Sequence, residues 1–327
     1  MYIFLKNKGT TCFFNSAFQI LIQNPFFVST INNSQIPSGS DEEIQKYLTY
    51  INTNPMNPNV PSELHVGRHY GFICVLKKFV QAYQQPSTNI HDCVLANVDE
   101  LSHYLFLVRH AIRTNTQHDV LECVDEILDV LSIPGTQRPS PLVIEKQELR
   151  QQTIESIRNA VNNHCGSLSS LWGVTERVDT CLTCKNVLRY EYNPFLWISK
   201  VKETRQAEAT CEYCKQTTTR QIQTNILIPP ESIIVQLSRH NDNGTKNHSN
   251  LPLSTTVNIN GTRFSLRVIV YHDGWSFNSG HYTCAIRTQD NRWMTNSDAS
   301  ACLMPSSFDI SEHQTNKTYA ALYLKTV

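Results

Sequence analysis

Cys12 is the residue of this 327-residue chain whose surroundings best suit a nucleophile. It follows Gly9 and two threonines, and apolar residues recur at helical spacing through 11–22. The pattern places Cys12 at or near a helix N-terminus, where partial positive charge stabilises a thiolate. Without further support, one cysteine among eleven is usually a small buried hydrophobe. The case for a reactive thiol therefore depends on a partner elsewhere in the chain.

His281 is the candidate partner, in the segment Asn-Ser-Gly-His-Tyr at 278–282. It opens a predicted strand and follows Gly280, which is small enough to let a substrate backbone approach closely. A general base must lie beside the nucleophile in the fold and not in the sequence. Cys12 and His281 together predict nucleophilic catalysis by a thiol.

Two Cys-x-x-Cys pairs predict a metal site, and they are Cys181 with Cys184 and Cys211 with Cys214. Four thiolates at these spacings form a closed tetrahedral Zn²⁺ site, which has no open position for catalysis and is therefore structural. A redox function for either pair would need a thioredoxin-like βαβ context, and the sequence offers none.

The elements that must position these residues change character along the chain. The first half is mostly helical, with helices predicted over 11–22, 42–50, 69–83, 97–110, 119–131 and 144–163. The remainder is rich in Val, Ile, Thr and Tyr, with strands predicted over 187–192, 195–201, 218–228, 232–238, 263–272, 281–288 and 319–325. Helices followed by strands, without βαβ alternation, predict an α+β fold.

Composition argues against nucleic-acid and membrane-surface binding. Lys+Arg and Asp+Glu both number 28, so the chain has no global basic field. Polar residues interrupt every apolar stretch near the N-terminus before it reaches the length of a signal peptide or a membrane span. We expect a soluble, monomeric, intracellular protein of the cytoplasm, the nucleus or both, with reduced cysteines.

Several segments resemble the ubiquitin-specific proteases, in that family's order. Residues 7–16, Asn-Lys-Gly-Thr-Thr-Cys-Phe-Phe-Asn-Ser, resemble the cysteine box, and Gly280 to Tyr282 within 271–287 resembles the histidine box. The likeness extends over 117–122, 171–201, the second Cys-x-x-Cys pair, 233–239 and 319–324. The match spans nearly the whole chain.

The resemblance implies a papain-like fold with thumb, palm and fingers subdomains in one catalytic domain over 1–327. The helical thumb would cover 1–165 and carry Cys12, the zinc-bearing fingers mainly 166–230, and the β palm with His281 mainly 231–327. The implied activity is thiol-dependent hydrolysis of the isopeptide or peptide bond after the C-terminal glycine of ubiquitin. The implied partners are ubiquitin and ubiquitin-conjugated proteins.

Three further site residues follow from the resemblance. Asn7, five residues before the nucleophile, matches the family's amide donor to the oxyanion. The family places Asp or Asn at the fourth residue after a Trp, but Ser297 stands at that distance from Trp293. A hydroxyl can fix the imidazole tautomer, although it brings no negative charge. Asp298 is the second candidate for this position, acting directly or through a water molecule.

Two alternatives to an active protease remain open. The absence of an acid at position 297 allows a ubiquitin-binding module of the same fold with little or no catalytic activity. A zinc ribbon that contacts nucleic acid or protein is the other alternative, but lysines, arginines and glutamates alternate around the cysteine pairs, so no patch of one sign results. Two milder departures from the family motifs are Thr10 in place of Asn and His240 in place of Phe.

Overall fold

The architecture is that of a computed structural model. It describes residues 4–5, 12–54, 60–84, 95–96, 118–199, 202–239, 241, 245–276, 279–297, 300–311, 313 and 315–326. The chain divides into two compact units. The first comprises 1–135, 237–255 and 266–322, and the second comprises 136–236, 256–265 and 323–327.

Five described helices belong to the first unit. They are α1 (Cys12–Ile22), α2 (Pro25–Asn33), α3 (Ser40–Thr53), α4 (His65–Gln84) and α5 (Val120–Leu131). Every side chain of α1 is buried, which makes it the central helix of this unit. Its prediction over 11–22 is confirmed, and so is that of α5, whose apolar residues all lie on one buried face.

Other helix predictions were less accurate. The predicted helix at 42–50 extends in both directions into α3, and the one at 69–83 begins earlier, at His65. Helix α2 was not predicted, although Pro25 occupies its first turn and the Asn24 side chain caps it by accepting from the Phe26 N–H at 3.1 Å. The helix predicted at 97–110 lies outside the described residues.

The sheet of the first unit is built from strands that follow one another in the sequence. Its strands are β11 (Thr262–Ser276), β12 (Ser279–Arg287), β13 (Trp293–Ser297), β14 (Ser300–Leu303) and β15 (Thr318–Lys325), in the order β14-β13-β12-β11-β15. The pairs β11–β12, β12–β13 and β13–β14 are antiparallel. A separate short parallel pair joins β1 (Phe4–Leu5) to β2 (Leu95–Ala96).

The second unit is mainly an antiparallel sheet with one helix, α6 (Arg150–Cys165). The sheet has the order β3-β5-β4-β8-β7, from strands β3 (Leu142–Ile144), β4 (Gly173–Cys181), β5 (Val187–Phe195), β7 (Lys202–Thr210) and β8 (Thr217–Ile228). In the same unit, β6 (Trp197–Ile198) pairs with β9 (Ser232–Gln236) in parallel. Strand β10 (Thr256–Ile259) forms a hairpin with residues 262–265 of β11, which also belong to the second unit, and both turn residues, Asn260 and Gly261, have positive φ.

The order of elements confirms the α+β prediction: helices occupy the first part of the chain and strands the rest. The strands predicted over 187–192, 218–228, 232–238, 263–272, 281–288 and 319–325 all lie within or across observed strands. The predicted strand at 195–201 was wrong as a continuous element, because β5 ends at Phe195 and β6 covers only Trp197–Ile198. The predicted helix at 144–163 begins only at Arg150, since Leu142–Ile144 pairs with β5 as a strand. None of the described helices has both the length and the apolar character needed to cross a membrane.

Candidate active site

Cys12 is the first residue of α1 and is 97% buried, with a relative exposure of 3%. The helix packs against β12 and α5 within the first unit. The first N–H groups of a helix lack intrahelical acceptors, and the macrodipole adds partial positive charge there. The N-terminus of α1 therefore contributes positive potential at Cys12, which acts in favour of a thiolate.

His281 lies on β12, half-buried and directly opposite Asp273 of β11. Gly280 precedes it in a conformation with φ of 154°. A Cβ atom on Gly280 would lie 2.6 Å from the Asp273 carbonyl oxygen and 2.6 Å from the His272 Nε2 atom. The close approach that requires a glycine here is therefore made by β11, in addition to any that a substrate makes.

Ser297, at the end of β13, is hydrogen-bonded to His281, with 3.1 Å between Ser297 Oγ and His281 Nε2. The pairing of Cys284 with Asn296 places Ser297 and His281 on the same face of the sheet, because side chains alternate along each strand. Asn296 lies on the opposite face, where its side chain is buried. Strand alternation thus selects the hydroxyl of Ser297, and not the amide of its neighbour, to contact the imidazole.

Tyr282, the residue after His281 on β12, interacts electrostatically with Cys12 at the start of α1. Burial raises the pKa of the Tyr282 phenol, and negative charges on Asp119, Cys12 and Glu122 raise it further. Asp119 caps α5 by accepting from the N–H groups of Leu121 at 2.7 Å and Glu122 at 3.2 Å. The residue after His281 therefore lies within the field of the Cys12 sulfur.

Asp119 also accepts a hydrogen bond from the Tyr319 hydroxyl on β15. The Tyr319 ring in turn packs edge-on against Tyr282, with 5.7 Å between ring centroids. A carboxylate at the N-terminus of α5 thus joins this helix to β15 and, through the Tyr319 ring, to β12. This contact fixes α5, on which α1 packs, relative to β12.

The remaining predicted catalytic residues, Asn7 and Asp298, lie outside the described residues.

The other described cysteines of the first unit are less suited to nucleophilic attack. Burial raises the pKa of Cys123 well above its usual value, and the neighbouring Glu126 and Asp119 act in the same direction. Cys302 is exposed, but it lies on a strand and not at a helix N-terminus. Where the structure describes cysteines, none forms a disulfide.

The four cysteines of the two Cys-x-x-Cys pairs come together in the second unit, with all four sulfurs within 4.8 Å of one another. The sulfurs of Cys184 and Cys211 are 3.7 Å apart, and those of Cys181 and Cys214 are 4.0 Å apart. An ion about 2.3 Å from each sulfur in a tetrahedron separates the sulfurs by about 3.8 Å. The donor set and its spacing can therefore hold a metal ion.

The two cysteine turns share one backbone geometry. Lys185 and Lys215 each follow the second cysteine with positive φ, and each donates its N–H to the carbonyl of the first cysteine at 2.9 Å. The backbone N–H of Cys184 is the main cause that lowers the pKa of Cys181, to about 6. Two equivalent turns at the ends of paired strands thus present their thiols to one point.

Sequence reasoning did not single out the buried polar residues beside the histidine strand, namely His272 and Lys246. His272 is 1% exposed and Lys246 is 7% exposed. The one available signal was that His272 ends a predicted strand whose partner begins with His281. Lys246 gave no signal, because it lies in a polar segment with no periodicity.

A thiol at a helix N-terminus, together with an imidazole that a side chain of a neighbouring strand orients, is typical of the cysteine hydrolases, although the orienting group is here a hydroxyl. The family model described as ubiquitin carboxyl-terminal hydrolase matches residues 4–323. The chain therefore belongs to the ubiquitin carboxyl-terminal hydrolase family, and its class is that of the deubiquitinases.

Solved structures of the same fold include the SAGA DUB module Ubp8/Sgf11/Sus1/Sgf73. In the complex with monoubiquitin, the match has a TM-score of 0.66 and 20% identity, and covers 100% of this chain and 69% of the other. In the complex with ubiquitin aldehyde, the TM-score is 0.64 and the identity 21%, and the match covers 100% of this chain and 70% of the other. For the yeast SAGA DUB module with an Sgf73 variant, the TM-score is 0.63 and the identity 20%, and the match covers 100% of this chain and 69% of the other. No curated protein matches the sequence.

Proposed function

We propose that this chain is an active cysteine-type deubiquitinase in which Cys12 is the nucleophile, His281 the general base and Ser297 the residue that orients the base. The hydrogen bond between His281 Nε2 and Ser297 Oγ carries the proposal. His281 lies on β12, and this strand packs against α1, the helix whose first residue is Cys12.

Each nitrogen of His281 has its own role in the proposed reaction. Nε2 lies 3.1 Å from Ser297 Oγ; with Nε2 donating its proton to this oxygen, Nδ1 is left to accept the Cys12 proton. The resulting thiolate attacks the carbonyl carbon of the scissile bond, and the Asn7 amide donates to the oxyanion. The imidazolium then protonates the leaving amine as the C–N bond breaks, which leaves a thioester on Cys12. Water, deprotonated by His281, hydrolyses the thioester and restores the thiol.

Ubiquitin is the proposed substrate, attached to a protein through an isopeptide or peptide bond. Two of the structurally similar modules were solved with monoubiquitin and with ubiquitin aldehyde. We further propose that the four-cysteine site holds Zn²⁺, since four thiolates at tetrahedral spacing are the usual ligands of structural zinc. The metal would join the β4–β5 turn to the β7–β8 turn and take no part in catalysis.

A ubiquitin-binding module without turnover is the second candidate function. The observation that favours it is the uncharged hydroxyl at Ser297, which stabilises an imidazolium less than a carboxylate does. The two candidates differ in one measurable respect, because only the enzyme hydrolyses its ligand.

A ubiquitin probe with a C-terminal electrophile tests the proposal directly. The wild-type chain is expected to gain the mass of one ubiquitin, and Cys12→Ala is expected to gain none. Cys302→Ala is the matched control, because it removes an exposed thiol of the same unit and should be labelled like the wild type. Folded wild-type protein that stays unlabelled, or Cys12→Ala labelled equally, contradicts the assignment. Ubiquitin binding without turnover of a fluorogenic ubiquitin substrate supports the binding module instead.

A further inference from the structure

Lys246 is a buried lysine whose ammonium group has a full set of acceptors. Its Nζ atom lies 2.9 Å from His272 Nδ1, 2.9 Å from the His272 carbonyl oxygen and 2.7 Å from the Gly274 carbonyl oxygen. An ammonium group has three protons to donate, so each acceptor receives one. Burial, together with the charge of Arg239, lowers the pKa of Lys246 to about 8, so it is still largely protonated at neutral pH.

The three acceptors belong to the part of β11 that pairs with the start of β12. His272 lies opposite Tyr282, and Asp273 lies opposite His281. Beyond Asp273 the register shifts before Ser276 meets Ser279. Such a bulge leaves ladder groups without their regular partners. Lys246 donates to the carbonyl of His272, which lies before this shift, and to that of Gly274, which lies within it. It therefore stabilises the end of β11 on both sides of Asp273.

The His272 ring, which Lys246 holds through Nδ1, contacts the two residues on either side of His281. Its face stacks on Tyr282 with 4.4 Å between ring centroids, and its Nε2 atom lies 2.6 Å from the position of a Gly280 Cβ. Burial, with the Lys246 charge beside it, lowers the pKa of His272 to about 4, so the ring is neutral and Nδ1 can accept. The ring therefore lies between the lysine and the glycine that precedes the general base.

Arg239 holds the segment that carries Lys246. The guanidinium is buried and donates to the carbonyls of Asn247 and Ser249, next to Lys246, and to those of Thr315 and Thr318. The segment is thus tied to β15, and Lys246 extends from it to β11. All of these residues belong to the first unit, together with Cys12 and His281.

We propose that Lys246 is a positioning residue for catalysis: its ammonium group holds His272 and the end of β11 in the arrangement that sets His281 on β12. The inference rests on the proposed function of His281 as the general base. Lys246 acts only through β11, the strand that pairs with the histidine-bearing β12. A displacement of about 1 Å at a catalytic group can lower the rate roughly a hundredfold, so a buried fastening of this kind has a measurable effect.

Lys246→Met is the test variant, because it keeps an unbranched apolar side chain and removes all three donors. Lys317→Met is its matched control, since Lys317 donates to Asp273 on the same strand from the surface, at 2.6 Å. We expect Lys246→Met to lower kcat for a fluorogenic ubiquitin substrate about tenfold to a hundredfold, with KM within about threefold. Lys317→Met should keep both values within about twofold of the wild type.

A second readout does not require ubiquitin. The rate of Cys12 alkylation by iodoacetamide, measured by peptide mass spectrometry across pH, reports how well His281 stabilises the thiolate. We expect Lys246→Met to slow alkylation below neutral pH by about tenfold relative to Lys317→Met. If the wild-type chain does not hydrolyse ubiquitin, the proposed function fails, and this profile still decides the role of Lys246.

His272→Phe keeps the proposal testable if Lys246→Met does not fold. It retains a ring to stack on Tyr282 and removes the acceptor for Lys246, so kcat and the alkylation profile should change in the same direction. When both single variants fold, the double variant should be no worse than the more impaired single one, because the two residues act as one unit. A folded Lys246→Met with the kcat and alkylation profile of Lys317→Met overturns the proposal. Wild-type behaviour of His272→Phe does so if Lys246→Met is unfolded.

Discussion

At position 297 a hydroxyl takes the place where the family resemblance leads us to expect a carboxylate or an amide. The 3.1 Å contact with His281 Nε2 fixes the ring without adding charge. A hydrogen bond between neutral groups contributes about 0.5–1.5 kcal/mol to the stability of the arrangement it holds, which is less than a hydrogen bond to a charged group contributes. The hydroxyl is therefore expected to orient the base and to stabilise its protonated form only modestly.

Ser297→Ala is expected to lower kcat for a ubiquitin substrate about tenfold, with little change in KM, since roughly 1.4 kcal/mol of orientation is lost. Ser297→Asp should exceed the wild type, because a carboxylate adds charge to the same contact. Thr295→Ala is the matched control, as it removes a hydroxyl from the same face of β13. If Ser297→Ala and Asp298→Ala both keep full activity, neither residue orients His281.

His272 predicts how the free energy of unfolding depends on pH. Its pKa is lowered to about 4 in the folded chain, chiefly by burial, whereas an unfolded histidine titrates near its ordinary value of about 6.5. The unfolded state thus binds more protons between these values, and stability falls as pH drops through this window. From pH 7 to 5 the loss assigned to His272 is about 2 kcal/mol. Urea unfolding at both pH values should show it, and His272→Phe should remove that share. An unchanged pH dependence in the variant would contradict this attribution.

The proposed catalytic side chains were easier to predict than the groups that support them. Cys12 and His281 belong to short motifs in which glycine, threonine and aromatic neighbours are distinctive. Lys246 is separated from His272 in the sequence by the whole of β10 and most of β11, so only the folded chain brings them together. A buried lysine also contradicts the expectation that lysine lies at the surface. No local pattern could have indicated it.

Among the elements, helices with a strong apolar period were the most predictable. Helix α5 has such a period and an Asp at its N-cap, so its bounds agreed with the prediction to one residue. Strand β7, with the sequence KETRQAEAT, has none, and it forms because all nine of its residues pair with β8. Pairing with a neighbour is information that the strand's own sequence does not contain. The same reason explains why β4 was not predicted between its two partners.

The cap of α5 predicts a stability change at the scale of an element. Asp119 accepts from two helix N–H groups and from the Tyr319 hydroxyl. Asp119→Ala should lower the free energy of unfolding by about 1–2 kcal/mol through the lost cap, and by roughly another 1 kcal/mol because the buried tyrosine hydroxyl loses its acceptor. Thermal or urea unfolding measures the change.

Two variants separate the two contributions at Asp119. Asp119→Asn keeps an oxygen that can cap the helix and should recover most of the stability. Tyr319→Phe removes only the bond between the helix and the strand, so it should cost less than Asp119→Ala. If Asp119→Asn is as unstable as Asp119→Ala, the carboxylate charge matters more than the cap.

In the whole molecule, the candidate catalytic residues and the cysteine cluster belong to different compact units. Cys12, His281 and Ser297 lie in the first unit, which the chain builds from three separate segments. The four cysteines lie within the second unit, on turns between neighbouring strands. The sequence predicted the cluster because each pair is local. It could not predict that 237–255 and 266–322 join the N-terminal helices, since that depends on packing between distant segments.

If the four cysteines hold zinc as proposed, this separation predicts that loss of the ion weakens ubiquitin binding and leaves the reactivity of Cys12 unchanged. Four thiolates without an ion repel one another and lose the crosslink between the two turns, so the sheet of β4, β5, β7 and β8 should open. Treatment with a zinc chelator, or Cys184→Ala, is expected to reduce bound zinc from one ion per chain to none. Amide hydrogen exchange should then accelerate in these four strands by at least about tenfold and remain slow in α1 and β12.

The kinetic consequence follows from the same separation. If the second unit contacts the body of ubiquitin, zinc loss should raise KM for a ubiquitin substrate by more than about tenfold. The pH profile of Cys12 alkylation should not change, because Cys12 and His281 lie in the first unit. Cys302→Ala controls for the removal of a thiol that is not a ligand. A chelated protein that loses the Cys12 alkylation profile together with its zinc would show that the ion supports both units, and that the division seen in the packing does not extend to stability.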